Sequence, residues 1–170
     1  ASSPPPVRLP AMDVAAVAET VPVATARADA ADDPAIWRNA ADPAKSLIVG
    51  TDKKAGLYVY GLDGAVKSFD PAGLLNNVDL AGGAEQALVA ASDRGDRAHS
   101  KLALFALRFD DATLRPLGTI PSGPGEAYGL CLQRRDVPAD LSVITAYAAI
   151  KDGTVREIRL TRRPDGGYDG

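Results

Sequence analysis

Residues 47–69 read LIVGTDKKAGLYVYGLDGAVKSF, and two later stretches repeat their plan. Residues 88–118 read LVAASDRGDRAHSKLALFALRFDDATLRPLG, and residues 145–170 read TAYAAIKDGTVREIRLTRRPDGGYDG. Each unit opens on an apolar run and crosses a charged loop carrying Lys or Arg. It then returns as a second, alternating strand and turns again. The turns Leu62-Asp63-Gly64, Asp110-Asp111-Ala112 and Pro164-Asp165-Gly166-Gly167 carry hairpin chemistry. Ahead of each unit stands one more short apolar run: Ala35-Ile36-Trp37, Asn77-Val78-Asp79-Leu80 and Tyr128-Gly129-Leu130-Cys131-Leu132. Four antiparallel strands recurring every ~40–55 residues are the pattern of β-propeller blades. A plain meander or a sandwich is the competing reading of the same period.

Worked outward, the chain predicts strands at 34–38, 46–51, 56–61, 65–69, 76–80, 86–92, 102–109, 113–119, 127–132, 141–149 and 154–161. No long helical period follows residue 30, so the class is all-β. Residues 1–18 are expected to be an extended N-terminal segment, with a turn or strand start at 13–18. The β-prone, proline-bearing stretch Glu19–Thr25 suits an edge or connecting strand. Residues 19–170 then form a partial propeller, with blades near 32–75, 76–125 and 126–170. The third unit stops at its turn, where a fourth strand is due. A further propeller half or tandem domain is expected after Gly170.

Composition narrows the function. The 170 residues are 46% hydrophobic, enough for a core, and carry 19 Lys and Arg against 22 Asp and Glu. That balance argues against nucleic acid as a partner, and any anion site must be local. One histidine, His99, lies in a polar loop, which excludes a multi-histidine zinc site. One cysteine, Cys131, excludes an internal disulfide and reads as a small buried apolar residue. No apolar run approaches the ~18 residues of a membrane span, and Ala1–Pro10 lacks signal-peptide design. The opening ASSPPP suits either a processed start or a linker.

Aligned on the second strand of each blade, LIVGTDK, LVAASDR and TAYAAIK place Lys53, Arg94 and Lys151 at one position. Equivalent positions in successive blades share one end of a ring, so three cations would line one rim. Converging Lys and Arg suit phosphate oxygens, Arg by its planar fork and Lys as a point charge. A solvated strand end is the bland alternative for each. The inner strands begin with oxygen-rich groups: Asp32-Asp33, then Asn76, Asn77 and Asp79, then Glu126. Hard cations such as calcium take several such oxygens. Asp-Asp-Pro alone is also ordinary turn chemistry. Together the two sets suggest a channel mouth where a calcium ion and an anionic substrate meet. Hydrolysis of a phosphoester without a His or Cys nucleophile would need that metal route.

The segments DDPAIW, TDKKAGLYVYGLDG, LNNVD, AASDR and EAYGL, in this order, resemble the β-propeller phytases from about Glu19 to Leu160. That resemblance implies a six-bladed, calcium-dependent enzyme that releases phosphate from myo-inositol hexakisphosphate (phytate) through metal-activated water. About three of the six blades are in this chain. It implies phosphate contacts at Lys53, Lys54, Arg94, Tyr128 and Lys151. It implies a metal-bearing cleavage site at Asp32 and Asp33, with further calcium ligands at Glu19 and the Val78 carbonyl. The resemblance implies a catalytic set of Asp32, Lys53, Arg94, Tyr128, Lys151 and Asp152; Asp152 stands where the family tends to have Glu, and its shorter carboxylate is expected to move a water or a calcium. One extra residue between Glu19 and Asp32 weakens the Glu19 match. A secreted or periplasmic location follows from the family. The alternative is an incomplete, non-catalytic propeller module that binds inositol phosphates beside a complete catalytic domain. A purely structural propeller piece is a third reading, and the in-register cations count against it.

Overall fold

The computed structural model describes residues 11–134 and 139–170. Among these described residues twelve strands form three four-stranded sheets, each an antiparallel meander in chain order. The first holds β1 (Ala31–Trp37), β2 (Leu47–Asp52), β3 (Gly56–Gly61) and β4 (Val66–Asp70). The second holds β5 (Leu75–Gly82), β6 (Gln86–Asp93), β7 (His99–Arg108) and β8 (Leu114–Pro124). The third holds β9 (Ala127–Arg134), β10 (Val143–Ile150), β11 (Val155–Arg162) and β12 (Tyr168–Asp169). The inner strands β1, β5 and β9 pack side by side, and the sheets stand as three successive blades of an open arc.

Burial follows the position of each sheet. The middle sheet is covered on both faces. Accordingly Ala87–Ser92 and Leu102–Leu107 are continuous buried runs. One face meets the first sheet through Val49, Leu57, Val59, Val89, Phe105 and Leu107. The other meets the third sheet through Leu88, Leu104, Ile144, Ala146, Ala148 and Leu160. The third sheet has only one covered face, so β10 alternates buried and half-buried residues along its whole length.

Four expectations change. The third sheet does have a fourth strand, the two-residue β12, made by the chain folding back after the turn at Pro164–Gly167. Glu19–Thr25 forms no strand. Pro22 breaks the ladder, and the stretch instead lies across the outer face of the first sheet. There Val21 N–H donates to the Gly64 carbonyl at 2.9 Å, and Ala24 N–H donates to the Tyr58 hydroxyl at 3.0 Å. With the second sheet packed on Leu57 and Val59, this strap on the other face leaves every residue of β3 buried, Tyr58 and Tyr60 included. Residues 13–18 are exposed and irregular, with neither helical turn nor strand, and 1–10 lie outside the described residues. Cys131 is exposed. Leu130 and Leu132 face the core between the second and third sheets, so strand alternation turns Cys131 to the uncovered face.

One glycine holds the first blade's geometry. Gly56 ends the KKAG turn at φ +148°, and an added Cβ would stand 2.0 Å from the Asp70 carbonyl oxygen. Only glycine lets β3 pass this close to the end of β4.

Candidate phosphate-binding rim

The repeat alignment is visible in the backbone. Lys53 N–H donates to the Ala30 carbonyl at 2.8 Å, Arg94 N–H to Leu74 at 2.8 Å, and Lys151 N–H to Glu126 at 3.0 Å. Each accepting carbonyl immediately precedes an inner strand or belongs to the residue before it. The three cations therefore occupy one structural position in three blades. Two residues earlier, the hydroxyls of Thr51 and Ser92 fill the bulge where the inner strand slips register. Thr51 Oγ1 accepts from Asp33 N–H at 3.0 Å, and Ser92 Oγ accepts from Asn77 N–H at 3.0 Å. Ser92 Oγ also donates to the Tyr128 carbonyl at 2.8 Å, which joins the second blade to the third. The third blade has Ala149 at this position and no hydroxyl to do the same.

A polar network runs between the inner strands. Asp33 Oδ2 accepts from Val78 N–H at 3.0 Å and from Asn77 Nδ2 at 3.1 Å. Asn76 Nδ2 donates to Asn77 Oδ1 at 2.6 Å, and Arg94 Nη1 donates to Asn76 Oδ1 at 2.7 Å. Arg94 Nε and Nη2 donate to Glu126 Oε1 at 3.0 and 2.6 Å, and Lys151 Nζ donates to Glu126 Oε2 at 3.4 Å. The half-exposed Tyr128 ring lies 5.9 Å from both the Arg94 guanidinium carbon and Lys151 Nζ. It is a shared aromatic surface between two cations. Lys53 stands at the other end, with Asp29 at 2.8 Å and Asp32 at 3.3 Å.

These contacts set the electrostatics. The hydrogen bond to Asp29 raises the Lys53 ammonium above its ordinary value, and Lys53 holds Asp29 below the usual carboxylate range. Glu126 is held low, first by the Arg94 hydrogen bonds and then by the Lys151 charge. Asp152 is lowered chiefly by the Thr154 N–H it accepts at 2.8 Å. Its Oδ1 thus closes the turn after β10, beside the rim and outside the network. Lys54 is exposed next to Lys53, and its N–H caps the Asp52 carboxylate at 2.9 Å.

The residues assigned to calcium separate into two places. Asp32, Asp33 and Val78 lie together where β1 meets β5. Val78 N–H donates to Asp33 Oδ2 where β5 slips register, which brings this residue's backbone beside the Asp33 carboxylate. Glu19 lies elsewhere: its carbonyl packs on the Gly64 turn, at the opposite end of the first sheet from Lys53. A cleft of about 180 Å³ runs under the strap between these ends, lined by Thr20, Asp32, Asp33, Thr51 and Tyr60. Among the described residues no three Asp, Glu, His or Cys side chains converge. The oxygens at Asp32, Asp33 and Val78 are of the class calcium takes, yet fewer than the six to eight it needs. They fit as part of a hard-cation site.

Two inner-strand acids do other work than metal binding. Asp79 commits both oxygens to backbone, Oδ1 to Leu80 N–H and Oδ2 to Leu132 N–H, each at 2.7 Å. It ties the second blade to the third as Asp33 ties the first to the second. Glu126, read from sequence as a metal-type oxygen, is the partner of two rim cations. Asn76 and Asp29 also belong to the site. Asn76 is among the oxygen-rich inner-strand starts read from sequence, and its role as an acceptor for Arg94 is what the structure adds. Asp29 precedes the first inner strand with no such signal.

A family model described as Phytase matches residues 7–153 of the chain. A curated 3-phytase of Bacillus subtilis (strain 168) is 35% identical over 164 residues, which is 91% of this chain and 41% of that protein. The chain thus spans about two fifths of the length of the curated relative it matches.

Proposed function

The chain belongs to the phytase family, and from that premise we propose that it takes part in calcium-dependent hydrolysis of phosphate monoesters of phytate. The single observation that carries this reading is the rim: Lys53, Arg94 and Lys151 at one backbone position in three blades, with Tyr128 between the last two. Lys53, Arg94 and Lys151 would grip phosphate oxygens and draw electron density from phosphorus. Lys54 and Tyr128 would add further phosphate contacts. Asp32, Asp33 and the Val78 carbonyl would hold calcium. Bound calcium would supply charge neutralisation and activation of water at neutral pH. Asp152, tied into its turn through Oδ1, would be the catalytic carboxylate beside Lys151 that orients a water or cation. A secreted or periplasmic setting, where calcium is plentiful, suits a site of this kind.

One observation favours a second reading for these 170 residues. Lys53, Arg94 and Lys151 share one backbone position with Tyr128 beside the last two, while no cluster of three acidic ligands occurs among the described residues. Phytate would then be bound with little turnover beside a complete domain. The two readings separate in one experiment, in which phosphate release and phytate binding are measured with calcium and with chelator. Calcium-dependent release supports the enzyme. Binding without release supports the module. If neither occurs, or if Lys53→Ala and Arg94→Ala leave phytate affinity unchanged, the rim is not a phosphate site.

A further inference from the structure

We propose that Glu126 is a positioning residue that fixes Arg94 and Lys151 from behind, making two cations on different blades into one phosphate-binding unit. The inference rests on the reading of the rim as a phosphate site. Its geometric basis is a gradient of exposure. The Glu126 side chain is 12% exposed, Arg94 23% and Lys151 58%. A carboxylate that competed with substrate would sit on the solvent side of the cations it neutralises. Glu126 sits beneath them. Asp29 shows the opposite arrangement, 88% exposed over a Lys53 that is 13% exposed.

The bonds themselves point the same way. An arginine has five N–H donors. Nε and Nη2 of Arg94 each give one to Glu126 Oε1, and Nη1 gives one to Asn76 Oδ1. The guanidinium is thus held by three bonds, with one donor left on each terminal nitrogen for a further acceptor. The other Glu126 oxygen holds Lys151, whose ammonium and the Arg94 guanidinium flank the same Tyr128 ring. Glu126 begins the segment that leads into β9, and its own carbonyl accepts from Lys151 N–H. One residue therefore anchors both the backbone and the side chain of Lys151. A guanidinium free to rotate would lose orientation entropy on every binding event.

Glutamine at this position keeps an oxygen for Arg94 and places an amide beside Lys151. The test is calorimetric titration of phytate, with inorganic phosphate as a second probe, into the full chain in calcium buffer. The wild type is compared with Glu126→Gln, Glu126→Asp, Lys151→Ala and the double variant Glu126→Gln/Lys151→Ala. Loss of one charge-assisted anchor is expected to weaken phytate binding by about tenfold or more in Glu126→Gln. Lys151→Ala is expected to cost much less in the Glu126→Gln background than in the wild type. A merely structural role would leave the two effects additive. If Glu126→Gln fails to fold, Glu126→Asp carries the test, because its shorter reach keeps the charge and loses one of the two partners. Unchanged or tighter binding in the folded variants overturns the inference, and so does additivity. Failure of the wild type to bind either probe overturns the phosphate reading of the rim itself, and the inference with it.

Discussion

Replacing Asp33 by alanine is expected to loosen the contact between the first and second blades. Its Oδ2 accepts from Val78 N–H at 3.0 Å and from Asn77 Nδ2 at 3.1 Å. Val78 is 3% exposed, so its N–H has no access to solvent once the carboxylate is gone. An orphaned buried donor costs about 1–3 kcal/mol, with the upper half of that range suited to a bond made to an ionised group. Asn77 is only half-buried and can turn to water. The expected loss is therefore about 2–3 kcal/mol, or roughly 4–12 °C in melting temperature for a chain of this size. The measurement is a thermal melt followed by circular dichroism in chelator, so that no bound cation contributes. The neighbouring Asp32 is the control. It accepts from Lys53 at 3.3 Å in a partly exposed pair, and Asp32→Ala is expected to give no more than about a third of that drop. Melting of Asp33→Ala within about 1 °C of wild type would refute the reasoning. Equal losses from the two adjacent aspartates would do the same.

Three other outcomes are expected. Glu126 is held below the ordinary 4.5 by its cations, so its ion pairs contribute fully above that value and are lost as pH falls through the depressed one. Phosphate monoesters themselves take up protons near pH ~6, so the quantity to follow is the ratio of wild-type to Glu126→Gln phytate affinity; it should hold from neutrality into mildly acid pH and shrink towards one below that, and a ratio that stays constant throughout would contradict this. Gly56→Ala forces a side chain into φ +148° and against the Asp70 carbonyl, and denaturant melts are expected to show a loss of about 1–3 kcal/mol or more. Expressed as these 170 residues, the chain bares one face of the third sheet, and light scattering with calorimetry is expected to show association or marginal stability. A monomeric, cooperative melt well above ~65 °C would contradict that expectation.

The fold was legible because its signals are local and repeated. Alternation and turn chemistry in three similar units located eleven of the twelve strands, and the register of Lys53, Arg94 and Lys151 came from counting along one strand. What escaped depends on neighbours. The two-residue β12 carries too little pattern to be seen, and only its pairing with Thr161 and Arg162 defines it. Glu19–Thr25 has strand propensity, yet Pro22 and the tyrosines beneath it make it a strap. Cys131 has the composition of a core residue, and its exposure depends on what covers the far face of β9. The role of each acid was the least legible feature. Asp33, Asp79 and Glu126 all stand at or near inner-strand starts. One accepts from the next blade's backbone, one is wholly committed to backbone, and one holds two cations. Sequence spacing places a carboxylate; only its donors say what it does.

The charge at the rim bears on why a cation would be needed there. Lys53, Arg94 and Lys151 face Asp29, Asp32 and Glu126, so three positive side chains meet three negative ones within hydrogen-bonding or ion-pair distance. If the rim takes phosphate, these ion pairs cancel and the exposed Lys54 adds a single positive charge, which leaves the site close to neutral. Phytate carries many negative charges, and a locally neutral site would hold it weakly against its hydration. The two kinds of carboxylate resolve this differently. Glu126 is buried beneath its cations and would stay, which keeps Arg94 and Lys151 aimed. Asp29 and Asp32 border the cleft where Asp33 and Val78 offer further oxygens. A divalent cation drawn to that end would take over Asp32 and leave Lys53 with a free donor. Cation and anion would then each improve the site for the other, and by linkage the gain must be reciprocal. The stretch from Asp32 to Lys53 is therefore where the two would be coupled, because it supplies both a candidate cation ligand and a rim cation joined by one ion pair.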